Sequence, residues 1–120
     1  MLYVKYKGAE YECATTLRVA YIIQGQHNHK AYTEIFESVG DMPVEQQIGM
    51  VYAAVKAGNK DIDFGLADFV QEYLDTYDLG QLMEHIKEII SGIMGKELSF
   101  ETKEEVEAKG EVVDGNFPKE

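Results

Sequence analysis

The sequence predicts a mainly α-helical domain that opens with a small β-hairpin and packs about five helices around a buried central helix. Through most of residues 17–94, apolar side chains recur at the i, i+3, i+4, i+7 spacing of an α-helix, whereas residues 2–14 show strand-like alternation. Within residues 43–60, no charged side chain stands between Glu45 and Lys56. A helix that is apolar on nearly every side must be surrounded by its neighbours, so this segment is predicted to be the central helix.

Length and charge limit the function classes. The chain has 120 residues, 45% of them hydrophobic, which is typical of one globular domain with a modest core. With 22 acidic and 11 basic residues, its net charge is −11. This balance disfavours nucleic acid and anionic membranes as direct ligands, because both need concentrated Lys and Arg. It fits a protein that meets a basic partner or stays apart from its own copies, but ordinary solubility is the favoured explanation.

The N-terminus and the single cysteine indicate the compartment. No basic region followed by an apolar core opens the chain, so no signal peptide is predicted. No apolar run approaches the ~20 residues of a membrane span. Cys13 is the sole cysteine, which excludes a disulfide within the chain and favours a reducing cytoplasm.

The first elements are predicted to be a hairpin and two helices. Residues 7–10 can form the turn between the strands, and the tyrosines of the hairpin would pack on the helices. Thr15 or Thr16 can cap the first helix, and Gly25 is predicted to end it. The predicted ranges of the two strands and two helices are 2–6, 11–14, 17–24 and 30–39.

The central helix has recognisable ends. Pro43 suits its first turn, where the missing N–H costs nothing, and Asp41 or Met42 would be the cap residue. Gly58 followed by Asn59 is a common C-terminal stop. The predicted apolar stripe comprises Val44, Ile48, Val51, Tyr52 and Val55.

Two further helices are predicted to complete the domain. Asp61 or Asp63 can cap the first of them. Asp78 can cap the second, with Gln81 in the capping-box position three residues later, and Gly95 closes it. Their predicted ranges are 64–77 and 79–94, with apolar stripes that start at Leu66 and Leu79. The domain therefore spans residues 1–95, and the sparse apolar residues of 96–120 predict an acidic, flexible tail.

Residues that could carry chemistry are few. His27 and His29 with Glu34 could bind a divalent metal, but a convincing site needs a third and a fourth strong ligand, so two exposed loop histidines are favoured. The adjacent letters His27-Asn28-His29 resemble a nuclease signature only superficially, since nucleases separate these residues along the chain. No metal site and no cofactor are therefore predicted.

The remaining candidates favour structural roles. Cys13 has no basic neighbour, which predicts a small buried hydrophobe rather than a nucleophile. His85 lies between Glu84 and Lys87 on the last helix and is predicted to be solvated. Because no glycine-rich phosphate loop and no Ser-His-Asp set can be proposed, the sequence predicts that the protein is not an enzyme.

The predicted elements follow one another in a recognisable order. A short hairpin comes first, and Thr15 with Thr16 begins the first helix. An alanine-bearing central helix (residues 50–57) follows, then an Asn/Asp turn, the segment 69–74 and a long helix that ends near Gly95. This order resembles that of the tail assembly chaperones of long-tailed phages and prophages, especially those of Gram-positive hosts, and the resemblance covers about residues 1–95.

The resemblance implies a non-catalytic protein of the host bacterial cytoplasm. It would bind the long, helical tape-measure protein, with the tail tube protein as a second partner, and keep it soluble until tube subunits polymerise around it. Association of several copies is compatible with this role. An exposed apolar groove would take the apolar face of a client helix. The residues predicted for this groove lie at or beyond the edge of the core stripe: Phe64, Tyr73, Leu74 and Tyr77.

One alternative stays open at this level. The chain could be a small acidic interaction protein of another class, such as an inhibitor or a nucleic-acid mimic. Such a mimic would place its carboxylates on one face at phosphate-like spacing, whereas the acidic residues here are spread over all the predicted elements.

Overall fold

The computed structural model describes residues 2–95, which contain two β-strands, five α-helices and one 3₁₀-helix. The elements are β1 Tyr3–Tyr6, β2 Ala9–Glu12, α1 Leu17–Gln26, α2 Tyr32–Glu37, the 3₁₀-helix Val39–Asp41, α3 Val44–Gly58, α4 Leu66–Thr76 and α5 Leu79–Met94. The predicted fold class, mainly helical with an N-terminal hairpin, is confirmed. The predicted acidic tail, 96–120, lies outside the described residues.

The hairpin is tighter than predicted. β1 and β2 are antiparallel, and Tyr6 pairs with Ala9, so the turn consists of Lys7 and Gly8 alone. Both turn residues have positive φ, 52° and 85°. A two-residue turn of this kind twists in the same sense as the strands, which favours it over a longer loop. Val4 and Tyr6 then face the helices and are buried.

Helix α3 is the centre of the molecule, as predicted. Its residues from Gln47 to Val55 are all buried, and it packs against α1, α4, α5 and β2. Gln47 is the buried polar residue of this run, and its Nε2 donates a hydrogen bond of 2.7 Å to the carbonyl of Val39. That bond satisfies the amide and ties the 3₁₀-helix to α3.

The start of α3 differs from the prediction. Neither Asp41 nor Met42 caps the helix, because the 3₁₀-helix extends to Asp41. Pro43 itself is the N-cap residue, and its carbonyl accepts hydrogen bonds from the N–H groups of Gln46 and Gln47 at 2.9 and 3.1 Å. Proline fits this position because its carbonyl is used and its missing N–H is not needed.

The end of α1 also differs. The helix continues through Gly25 to Gln26, so the predicted stop at Gly25 is wrong. It ends where Asn28 and His29 take positive φ, and the N–H of His29 bonds to the carbonyl of Gln24 at 2.7 Å. Asparagine and histidine tolerate this left-handed conformation better than most residues, and a bond back to the last helical turn accompanies it.

The last two helices begin differently from each other. For α5 the prediction is confirmed, since Asp78 and Gln81 form a capping box and Gly95 closes the helix with φ 78°. Helix α4 begins later than predicted, and its N-cap is Gly65 rather than Asp61 or Asp63.

None of the helices within residues 2–95 combines the length and the apolar character that a membrane crossing needs.

Candidate functional site

An open apolar groove lies where the first turn of α3, the last turn of α4 and the first turn of α5 meet. Its volume is about 190 Å³, and its lining residues are Val44, Ile48, Tyr73, Leu74, Tyr77, Asp78, Leu79 and Leu82. All of these except Asp78 are apolar or aromatic. Pockets that enclose a drug-sized ligand measure roughly 300–1,000 Å³. The groove is therefore sized for projecting side chains of a partner rather than for a cofactor.

The rim of the groove exposes large apolar side chains. Val44 is 45% exposed, Leu74 48% and Leu79 62%. Val44 and Leu79 were predicted to belong to the core stripes of their helices, and the structure corrects this. Each is the first residue of its helix. The first turn of a helix can extend past the elements packed against the later turns, which leaves its apolar residue in water.

The floor of the groove is fixed. Tyr73 is 2% exposed, and Ile48 and Leu82 are equally buried. The rings of Tyr73 and Tyr77 pack with their centroids 4.6 Å apart. The hydroxyl of Tyr77 accepts a hydrogen bond of 2.9 Å from the backbone N–H of Lys5, which ties the end of α4 to the hairpin. A partner would therefore meet a preformed surface.

Three of the four residues predicted for a partner groove line this one: Tyr73, Leu74 and Tyr77. Phe64 does not, and its prediction as a groove residue is corrected. It is 8% exposed, and its ring stacks on that of Tyr6 at a centroid distance of 3.9 Å. Its carbonyl accepts a bond from the Tyr52 hydroxyl at 3.1 Å. Phe64 precedes the extended Gly65 and enters the core between the hairpin and α3. Binding of a partner by the other three residues stays a prediction.

Val44 and Leu79 were missed as groove residues. Helical spacing places both on a core stripe, and spacing alone does not reveal which turn of a helix is covered. One feature of the sequence could have identified Leu79 as exposed. It directly follows Asp78, whose capping box marks the N-terminal end of α5. An apolar residue next to such a cap lies at an exposed end of the helix.

His85 lies behind the groove, and the prediction that it is solvated is wrong. Its Nδ1 is 2.6 Å from the hydroxyl oxygen of Tyr73, and the Tyr77 ring packs edge-on against it at 4.8 Å. Burial lowers the pKa of His85 below its usual value, although Glu88 and Glu84 act in the opposite direction. Burial raises the pKa of Tyr73. We therefore infer that the Tyr73 hydroxyl donates a hydrogen bond to the unprotonated Nδ1 of His85, whose imidazole is neutral.

The stability of the protein is expected to fall as the pH drops below about 6.5, because of His85. Its pKa is lower in the folded chain than its ordinary 6.5, so the unfolded chain binds more protons in that range. The histidine contribution is complete above pH 6.5 and is lost as the pH falls toward the folded pKa. Urea unfolding at about pH 7.5 and about pH 5.5 measures the difference.

A pair of variants isolates this effect. His85→Gln can still accept from Tyr73 but does not titrate, so the loss of stability between the two pH values should shrink. His27→Gln is the matched control, because burial and Lys30 also lower the pKa of His27. It should remove only the contribution of His27 to the pH dependence and leave that of His85 in place. Identical pH dependence in the wild type and in His85→Gln would contradict the assignment.

The other predicted chemical residues lie apart from the groove. His27 borders a second cavity of about 270 Å³, which also contacts Gln26 and Gly49. The Nε2 of Gln26 donates to the Gly49 carbonyl at 3.0 Å, and its buried Oε1 has no hydrogen-bond partner among the described residues. Within residues 2–95, no three His, Cys, Asp or Glu side chains are placed to hold a metal ion. His29 is exposed, as predicted for a loop histidine.

Cys13 is a buried side chain, as predicted. It is 5% exposed and follows the last residue of β2. Burial raises the pKa of its thiol to about 12, and the carboxylates of Glu88 and Glu12 contribute in the same direction. The thiol therefore stays protonated at neutral pH, which suits packing and not nucleophilic attack.

No protein-family model matches the chain, and neither the curated proteins nor the solved structures contain a significant match.

Proposed function

We propose that the protein is a non-catalytic tail assembly chaperone, which binds the tape-measure protein and keeps it soluble during tail assembly in the host bacterial cytoplasm. The observation that carries the proposal is the groove, in which Val44, Leu74 and Leu79 expose apolar surface above a buried floor. An apolar groove between helices is suited to the apolar face of a client helix.

The physical mechanism is the covering of apolar surface. A client helix would bury its own apolar stripe together with the three exposed rim residues, at roughly 25 cal/mol for each Å² removed from water. No proton transfer or covalent step is needed. The net charge of −11 would remain outward on the complex and oppose its aggregation. Tail tube subunits would later displace the chaperone from the client.

The test is co-expression with the tape-measure protein encoded by a neighbouring gene, followed by purification through a tag on this chain. The wild type should recover the tape-measure protein in the soluble fraction. Leu74→Glu and Leu79→Glu each place a charge in the groove and should weaken binding about tenfold or more, which corresponds to about 1.4 kcal/mol of binding free energy and should lower the recovery of the client.

A matched control separates the groove from general surface effects. Leu17 is 79% exposed at the first position of α1 and does not line the groove, so Leu17→Glu should recover the client as the wild type does. Circular dichroism should show equal helix content in all the variants. No tape-measure protein bound to the wild type, or equal losses for Leu17→Glu and Leu74→Glu, would contradict the proposal.

The second candidate function is an acidic interaction protein, such as an inhibitor or nucleic-acid mimic. One observation favours it: residues 61–86 contain seven acidic side chains and no Lys or Arg. The same purification separates the two functions. Recovery of a single basic, nucleic-acid-binding protein, retained by Leu74→Glu, would favour the mimic and count against the chaperone.

A further inference from the structure

The groove has an apolar floor and acidic surroundings. The acidic run 61–86 includes all of α4 and the part of α5 that lines the groove. Asp78 is the charged residue among the lining side chains. Asp75 is exposed directly after Leu74, and Glu45 is exposed directly after Val44. Each helix that contributes an exposed rim leucine or valine thus presents a carboxylate beside it.

We propose that the groove selects a basic amphipathic helix, in which Lys or Arg residues flank the apolar stripe that enters the groove. This inference rests on the proposed function and specifies the chemistry of the client segment. The exposed apolar rim, together with the floor beneath it, would provide the affinity. The carboxylates beside the groove would discriminate between apolar helices, since charges at the edge of an interface act mainly on association rate and specificity.

Repulsion of the wrong client would add to this preference. A client helix with Glu or Asp beside its apolar stripe would bring like charges against Asp75 and Asp78, and no Lys or Arg of residues 61–86 could offset them. Such a helix would be rejected although its apolar stripe fits equally well. The small volume of the groove, about 190 Å³, leaves flanking side chains at the rim rather than inside.

The test uses three synthetic helical peptides with the same leucine stripe and with Lys, Gln or Glu at the flanking positions. Their affinities for the full-length protein are measured by fluorescence anisotropy. At about 0.1 M salt, where screening extends over about 10 Å, the Lys peptide should bind at least about tenfold more tightly than the Glu peptide. At about 1 M salt, where the screening length is about 3 Å, the difference should fall to within about threefold.

Variants assign the preference to the groove. Asp75→Asn with Asp78→Asn removes the charge among the lining residues and the exposed charge that follows Leu74 in the chain, and asparagine retains the capping role of position 78. This double variant should reduce the preference for Lys over Glu several-fold and leave the Gln peptide unchanged. Asp61→Asn is the matched control, because Asp61 belongs to the same run but neither lines the groove nor adjoins a rim residue in the chain, so the substitution should change nothing. Leu74→Glu should weaken binding of the Gln peptide, which carries no flanking charge and therefore reports on the apolar surface of the groove.

The outcomes separate this inference from the proposed function. Equal binding of the three peptides, lost in Leu74→Glu, would overturn the basic client and leave the groove as the client site. A Lys preference that survives the double variant would also overturn the inference, because the selecting charges would lie elsewhere. If no peptide binds and Leu74→Glu still recovers the tape-measure protein, the groove itself is excluded. Self-association of the wild type that Leu74→Glu abolishes would make a second copy the occupant, against the inference.

Discussion

Phe69→Ala is expected to lower the free energy of unfolding by about 3–5 kcal/mol, the cost typical of truncating a buried phenylalanine to alanine. Phe69 is 1% exposed. Its ring lies 5.5 Å from that of Tyr52, 5.8 Å from that of Tyr73 and 6.1 Å from those of Phe64 and Tyr6. The truncation would open a cavity where the hairpin, α3 and α4 meet. Urea unfolding followed by circular dichroism measures the loss.

Two controls show that the cavity is the cause. Phe69→Leu fills most of the volume and should lose much less stability than the alanine variant. Leu66→Ala removes a 40% exposed side chain from the same helix and should cost about 1 kcal/mol or less. If Phe69→Ala lost no more stability than Leu66→Ala, the aromatic cluster would not be the core of the fold. Because the ring of Tyr73 packs against that of Phe69, Phe69→Ala should also make the groove floor at Tyr73 less rigid.

Gly58→Ala is expected to destabilise the fold by about 1–3 kcal/mol, through overpacking. Gly58 is the last residue of α3, and a Cβ there would lie 2.6 Å from the Glu12 carbonyl oxygen and 3.1 Å from the Ala14 backbone nitrogen. Both atoms are backbone, so they cannot move aside as a flexible side chain would. The Nδ2 of Asn59 also holds the Glu12 carbonyl, at 2.8 Å.

Gly25→Ala is the matched control for Gly58→Ala. Gly25 lies within α1, and a Cβ there would meet no atom within 4 Å. Alanine should therefore stabilise the protein by about 0.5–1 kcal/mol, the ordinary gain from replacing glycine in a helix. The urea midpoints should shift in opposite directions. Equal shifts would contradict the close approach of α3 to the hairpin.

Gly25 and Gly58 show which features of the fold local sequence patterns can predict and which they cannot. Helical spacing correctly predicted five helices and a central helix, and the alternation of residues 2–14 correctly predicted the hairpin. Glycine's tendency to end helices predicted stops at both Gly25 and Gly58. In the structure Gly25 is the next-to-last residue of α1, and Gly58 is placed where the backbone of residues 12–14 comes close. Sequence spacing carries no information about which distant segment approaches a helix end.

The groove was predicted in part for the same reason. Tyr73, Leu74 and Tyr77 were found because they lie at or beyond the edge of a helical stripe, which is a local property. Phe64 has the same local property, yet its ring packs against Tyr6, a residue far away in the chain. The partner of His85, Tyr73, is likewise on another helix. Pairings of this kind depend on how α4 and α5 meet.

By itself, the sequence determined the order of the strands and α-helices, the central position of α3, the capping of α5 and the acidic character of the chain. These properties depend on neighbours within about one helical turn or on composition, and both can be counted along the chain. The tertiary structure alone decided which apolar residues are covered. Val44 and Leu79 lie on well-formed apolar stripes, but they become a groove rim because no described element packs over the first turns of their helices. Burial is a property of the assembled helices, and spacing within one helix cannot specify it.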